Sequence, residues 1–185
     1  MRKVFLFMMV TPDGFFEGPS RDISWHNVDK EFVDFAIAQL GEIGTILFGR
    51  VTYQMMASFW PSEIAKKEDP QTARLMAQIP KVVFSKTLDK VEWENSRLVT
   101  TDAAEEVSKL KKQKGKKIAI FGSSDLTVAL VKAGLVDEFR LMVNPILLGN
   151  GKRLMQGLDT KFNLELVKAK KFGNGNILLY YRPKQ

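Results

Sequence analysis

Thr45-Ile46-Leu47-Phe48-Gly49-Arg50-Val51-Thr52-Tyr53 is a short apolar run that stops at a glycine and resumes on a different period. Ile46, Leu47 and Phe48 read as a buried strand, and Tyr53, Met55, Met56 and Phe59 fit a helix beginning at Thr52. Strand, glycine, arginine and helix start together make a junction that can hold an anion. The glycine admits close backbone approach, the helix start offers unpaired N–H groups, and the guanidinium adds charge. The plainer alternative is a solvated arginine following a strand. The rest of the chain has to decide between them.

Working outward, Lys3 to Val10 is almost wholly apolar, as expected of a strand buried on both faces, and Thr11-Pro12-Asp13-Gly14 is a turn. Phe32, Val33, Ala36, Ile37 and Leu40 recur at helical spacing from Asp29 onward, and Gly41 and Gly44 end that helix. Ser62 to Gln78 reads as an exposed, weakly helical excursion. Lys81 to Ser85 and Leu98-Val99 are short strands, and Asp102 with Glu105 resembles a capping box opening a helix through Val107 and Leu110. Ile118 to Phe121 is a buried strand followed by a helix carrying Leu126, Leu130 and Val131 inward. Phe139, Leu141 and Val143 alternate with Arg140, Met142 and Asn144, the period of a half-buried strand. Leu164 to Ala169 and Ile177 to Tyr181, joined across Gly173-Asn174-Gly175, form a terminal hairpin. The fold class is therefore α/β: a three-layer sandwich with a mostly parallel central sheet and an antiparallel C-terminal hairpin, one domain over 1–185.

Composition narrows the chemistry. The 185 residues contain no cysteine and one histidine, His26, so disulfides, thiolate nucleophiles and histidine-rich metal sites are excluded. His26 lies in the polar loop Ser24-Trp25-His26-Asn27 and reads as an exposed polar residue. No apolar run approaches a membrane span or a signal peptide, and a cytoplasmic location fits the missing cysteines. The net charge of +7 is concentrated in Lys109–Lys117 and Lys168–Lys171. Neither run interleaves aromatics, so a polyanionic small ligand accounts for the bias better than nucleic acid.

Three junctions share one character: Phe48-Gly49-Arg50-Val51-Thr52, Phe84-Ser85-Lys86-Thr87 and Phe121-Gly122-Ser123-Ser124-Asp125. In an open α/β sheet, ligands bind beyond the carboxyl ends of the strands, so these loops can meet in one crevice. Together they offer small residues, hydroxyls, two cations and helix starts, which suits a ligand with several phosphates. Taken singly, each serves equally well as a turn or a helix cap. Two common phosphate motifs are absent. A Walker A loop ending at Gly151-Lys152 would need glycine at Ile146 and a hydroxyl at Arg153, and Gly173-Asn174-Gly175 lacks the third dinucleotide-binding glycine at Leu178.

With Asn144-Pro145-Ile146-Leu147-Leu148-Gly149-Asn150-Gly151 and the first strand running into Phe15-Phe16, these junctions resemble the dihydrofolate-reductase-like superfamily. The order and spacing are similar to the reductase domain of bacterial riboflavin biosynthesis, as a stand-alone member. What the resemblance implies is an NADPH-dependent reductase, and a homodimer. It assigns Gly49, Arg50 and Thr52 to the pyrophosphate and 2′-phosphate, and Ser85 and Lys86 to the adenosine 2′-phosphate. Gly122 and Ser123, a pair often joined by a cis peptide, would pass beside the nicotinamide and pyrophosphate. Ser124, Leu126 and Thr127 would open the helix behind them. Met9 and Phe16 would border the nicotinamide, with Trp25 on the substrate side and Asp34 as a candidate proton donor. Implied acceptors are a small polar heterocycle or a ribosylaminopyrimidine phosphate. Folate reduction and a non-catalytic nucleotide-binding module are the alternatives. This chain departs from the pattern at Ser123, which replaces a second glycine. Asp34 is also one residue out of register with the pterin-binding acid, about 100° around a helix.

Overall fold

The computed structural model describes residues 1–184. Six strands run parallel in the order β5 (Ser96–Val99), β4 (Lys81–Phe84), β3 (Ile43–Gly49), β6 (Lys117–Phe121), β1 (Val4–Val10) and β7 (Glu138–Val143). The antiparallel pair β10 (Ile177–Pro183) and β9 (Leu164–Lys171) extends the sheet beyond β7. A small ribbon, β2 (Phe15–Glu17) with β8 (Lys152–Arg153), stands apart from it.

Side-chain alternation explains the layers. On β1, Val4, Leu6, Met8 and Val10 face one cluster with α5 (Ala103–Lys112) and α6 (Ser124–Lys132), through Val107, Leu110, Leu126 and Leu130. Phe5 faces the opposite side, where Ile46, Phe48, Tyr53, Met76 and Trp93 form a second cluster. That side is covered by α1 (Lys30–Gly41), α2 (Arg50–Phe59) and α4 (Pro70–Gln78), with α3 (Glu63–Glu68) packed on α4. All six parallel strands end at one edge of the sheet, and the junction loops lie there.

Three expectations need correction. The segment from Ser62 to Gln78 is not a loose excursion, because α4 buries Thr72, Ala73 and Met76. α2 starts at Arg50 rather than Thr52, with Gly49 as its N-cap. Strand β7 is not half open, since Arg140 is only 3% exposed. Its guanidinium donates to Gln39 Oε1 at 3.0 Å, Glu42 Oε2 at 3.2 Å and Glu138 Oε1 at 2.5 Å, and lies 4.0 Å from the Phe5 ring centroid. A charge that is fully paired can be buried, so a polar residue in an alternating pattern does not always mark the wet face.

Candidate active site

Because β4, β3 and β6 are neighbours, the loops after Phe84, Gly49 and Phe121 come together at one sheet edge. Two of them are tied to each other. Gly49 N donates to Ser123 Oγ at 2.9 Å, and Ser123 N donates to Thr52 Oγ1 at 3.1 Å. Ser123 Oγ also donates to the Phe121 carbonyl at 3.2 Å. Gly122 and Ser123 both adopt left-handed φ, +59° and +56°, and no cis peptide occurs among the described residues. A Cβ at Gly122 would stand 2.9 Å from Thr52 Cγ2, so glycine is required there on two counts.

The helix starts divide into two kinds. Asp29, Ser62, Asp69 and Asp102 cap α1, α3, α4 and α5 with their own side chains. The helices that open on the crevice, α2 and α6, have no side-chain cap. Their first-turn N–H groups, on Arg50, Val51 and Thr52 and on Ser124, Asp125 and Leu126, are left facing outward from the strand ends. Ser124 is 3% exposed and its buried Oγ has no partner. Uncapped helix starts at neighbouring strand ends are the features of an anion cradle.

Other assigned residues fall in different places. Arg50 is exposed at the first position of α2 and donates to Gln54 Oε1 at 3.1 Å. Lys86 is exposed beside a recess of about 400 Å³ lined by Phe84, Ser85, Thr100, Thr101 and Asp102. Ser85 Oγ accepts from Thr87 N and Leu88 N, both at 3.1 Å, and so shapes that loop. Leu126 and Thr127 are buried, and Thr127 Oγ1 donates to the Ser123 carbonyl at 3.1 Å. Only the backbone of Leu126 faces the crevice, as part of the α6 first turn. Met9 and Trp25 join one apolar cluster with Phe172 and Leu178, while Phe16 belongs to the cluster beneath α6. Trp25 Nε1 donates to the Asp22 carbonyl at 3.1 Å.

Asp34 is not brought to the crevice. It faces solvent and pairs with Lys30 at 2.6 Å, as a one-residue helical offset dictates. His26 is also not where its polar neighbours place it. It is largely buried, its Nε2 is sealed without a partner, and burial pushes its pKa down to about 4. Thr100 and Thr101 escaped the sequence reading, although Leu98-Val99-Thr100-Thr101-Asp102 repeats the strand, hydroxyl, helix-start pattern of the other loops. A larger groove of about 1320 Å³, lined by Tyr53, Trp60, Ala73 and Trp93, lies between α2 and α4 and not at the strand ends.

The family model described as RibD C-terminal domain matches residues 2–178. The uncharacterized protein YyaP of Bacillus subtilis is 36% identical over 186 residues, covering 97% of this chain and 94% of that one. A putative riboflavin biosynthesis protein from Shewanella sp. PV-4 superposes with TM-score 0.76 at 22% identity over 99% of both chains. The Thermotoga maritima diaminohydroxyphosphoribosylaminopyrimidine deaminase/5-amino-6-(5-phosphoribosylamino)uracil reductase gives TM-score 0.70 at 14% identity, with 99% of this chain matching 57% of that one. Enterococcus faecalis dihydrofolate reductase, solved with NADP(H), gives 0.66 at 14% over 99% of this chain and 97% of that one. At such identities the structural matches show a shared fold.

Proposed function

The chain belongs to the RibD C-terminal domain family, whose solved relatives include riboflavin-type reductases, and on that premise we propose that it is an NADPH-dependent reductase. The observation that carries this is the pair of uncapped helix starts, α2 and α6, joined through Ser123 at adjacent strand ends. The first-turn N–H groups of both helices would hold the pyrophosphate, and Arg50, at the α2 start, would reach both the pyrophosphate and the 2′-phosphate. Lys86, Ser85, Thr100 and Thr101 line the recess suited to an adenosine 2′-phosphate. When bound, the nicotinamide supplies the hydride.

The chain's own task is positioning: a carbon acceptor has to be held against the cofactor's reactive face with water excluded. Met9 and Trp25, in one apolar cluster next to the ends of β1 and β7, provide the dry border. We favour a small polar heterocycle or a ribosylaminopyrimidine as acceptor. Folate reduction loses its motive, because Asp34 faces solvent in an ion pair.

Titration with NADPH, followed by quenching of Trp25, Trp60 and Trp93 fluorescence, tests the reading directly. A charge-assisted contact is worth about 1.5–3 kcal/mol, so Arg50→Ala is expected to weaken NADPH roughly tenfold to hundredfold. NADH should lose far less. Equal losses would leave Arg50 a pyrophosphate role and remove its 2′-phosphate role. Binding without hydride transfer to any acceptor would instead favour a non-catalytic nucleotide-binding module.

A further inference from the structure

We infer that the groove between α2, α4 and the Thr87–Glu94 loop is a second small-molecule site, for a planar aromatic carboxylate that carries an N–H donor. The groove is separate from the strand-end crevice, and the inference does not depend on what the crevice holds. Its volume of about 1320 Å³ exceeds the roughly 300–1,000 Å³ that encloses one small ligand, so a bicyclic ring enters with its water. Small side chains keep it open. Ala57 lines it from α2, and Ala73 and Ala77, one turn apart, line it from α4. Tyr53, Trp60 and Trp93 add aromatic surface against which a flat ring can pack.

The walls are fastened to one another, so the opening is built into the fold. Tyr53 Oη accepts from Glu92 N at 3.1 Å and from Trp93 N at 3.0 Å, which ties the loop to α2. Lys81, only 1% exposed, donates from Nζ to the Ala77 and Glu94 carbonyls, both at 3.0 Å, which ties the loop to α4. The same ammonium lies 4.4 Å from the Trp93 ring centroid and holds that ring in place. At the other end of the loop, Ser85 Oγ accepts from Thr87 N and Leu88 N. A groove fixed in this way loses little freedom when a ligand enters it.

The charges around the groove select the ligand. Lys66 is paired with Glu63 at 2.8 Å and Lys90 with Glu92 at 2.5 Å. Glu94 is balanced by the charge of the buried Lys81. Two charged lining residues remain without an ion-pair partner among the described residues: Arg74 on α4 and Asp89 on the loop. A guanidinium takes a carboxylate in fork geometry, and Asp89 accepts from an amino or ring N–H group. A flat ring between the two covers the alanines. Asp89, Glu92 and Glu94 together oppose a polyphosphate, so this is not a second place for a nucleotide's phosphates.

Calorimetric titration of the full chain with 6-amino-2-naphthoate tests the site. Saturable binding is expected, and Arg74→Gln should weaken it roughly tenfold to hundredfold, the range for one lost charge-assisted contact. 2-Naphthylamine, which lacks the carboxylate, should bind wild type and Arg74→Gln alike. The advantage of 6-amino-2-naphthoate over 2-naphthoate should disappear in Asp89→Asn. Ala57→Phe fills the groove and should abolish binding; Ser58→Phe, from an exposed lining position, replaces it if the first variant fails to fold. Saturating NADPH should leave the isotherm unchanged. No saturable binding below millimolar concentration, binding indifferent to Arg74, to Asp89 or to the filled groove, or displacement by NADPH overturns the proposal.

Discussion

Ser123 holds a left-handed conformation that glycine would adopt without strain, and among the hydrogen bonds that keep it there are three to Gly49, Thr52 and Phe121. Two of them use the hydroxyl, accepting from Gly49 N and donating to the Phe121 carbonyl. The side chain therefore fastens β3 to β6 at the point where both chains turn into uncapped helices. Ser123→Ala keeps the strain and removes both hydroxyl bonds, and should destabilise by about 1–2 kcal/mol. Ser123→Gly loses the same bonds but relieves the left-handed φ, so it should lie between alanine and wild type. Urea unfolding midpoints rank the three proteins. An alanine variant as stable as wild type would show that the serine only occupies space.

At the scale of elements, what could be read from the sequence depended on whether an element's partners lie nearby in the chain. Ile46 to Phe48, Ile118 to Phe121 and the Gly173–Gly175 hairpin are uniform or sharply punctuated, and their class follows from local pattern. The placement of the three strand-end loops side by side was likewise legible, since parallel strands put their ends together. α4 was not, because its buried residues Thr72, Ala73 and Met76 make no strong apolar pattern, and Met76 joins the cluster of Phe48 and Trp93 only through the fold. Arg140 was misplaced for a related reason: its partners Gln39 and Glu42 lie about 100 positions away. Asp34 illustrates the reverse, a plausible acid whose helical phase turns it outward. If α4 is core, Met76→Ala should cost about 3 kcal/mol in thermal or urea unfolding. Arg74→Ala, on the exposed side of the same helix, should stay within about 0.5 kcal/mol of wild type. Similar small losses from both would return the segment to a surface role.

The whole molecule is closed by contacts between its two ends. Asn27 N donates to Asn144 Oδ1 at 2.8 Å, Asn27 Nδ2 to the Asn174 carbonyl at 2.8 Å, and Asn176 Nδ2 to the Asn27 carbonyl at 2.8 Å. These bonds join positions 117 to 149 residues apart and pin the Trp25 loop to the end of β7 and the terminal hairpin. Buried amides of this kind stabilise only while the set is complete. His26 sits inside this closure with Nε2 sealed, so the folded protein favours the neutral ring, with the nearby Asp22 charge opposing burial only in part. Its pKa of about 4 lies below the ordinary 6.5, which sets the sign. Above pH 6.5 the ring is neutral in both states and stability is unaffected by it. As pH falls from 6.5 towards 4, the unfolded chain takes up a proton that the folded chain refuses, and stability drops by up to about 3 kcal/mol. His26→Leu removes the titration and should flatten that limb when unfolding midpoints are measured between pH 7 and pH 4. Parallel pH curves for the two proteins would mean that His26 is protonated without opening the loop, and that the acid sensitivity of the fold arises from its carboxylates.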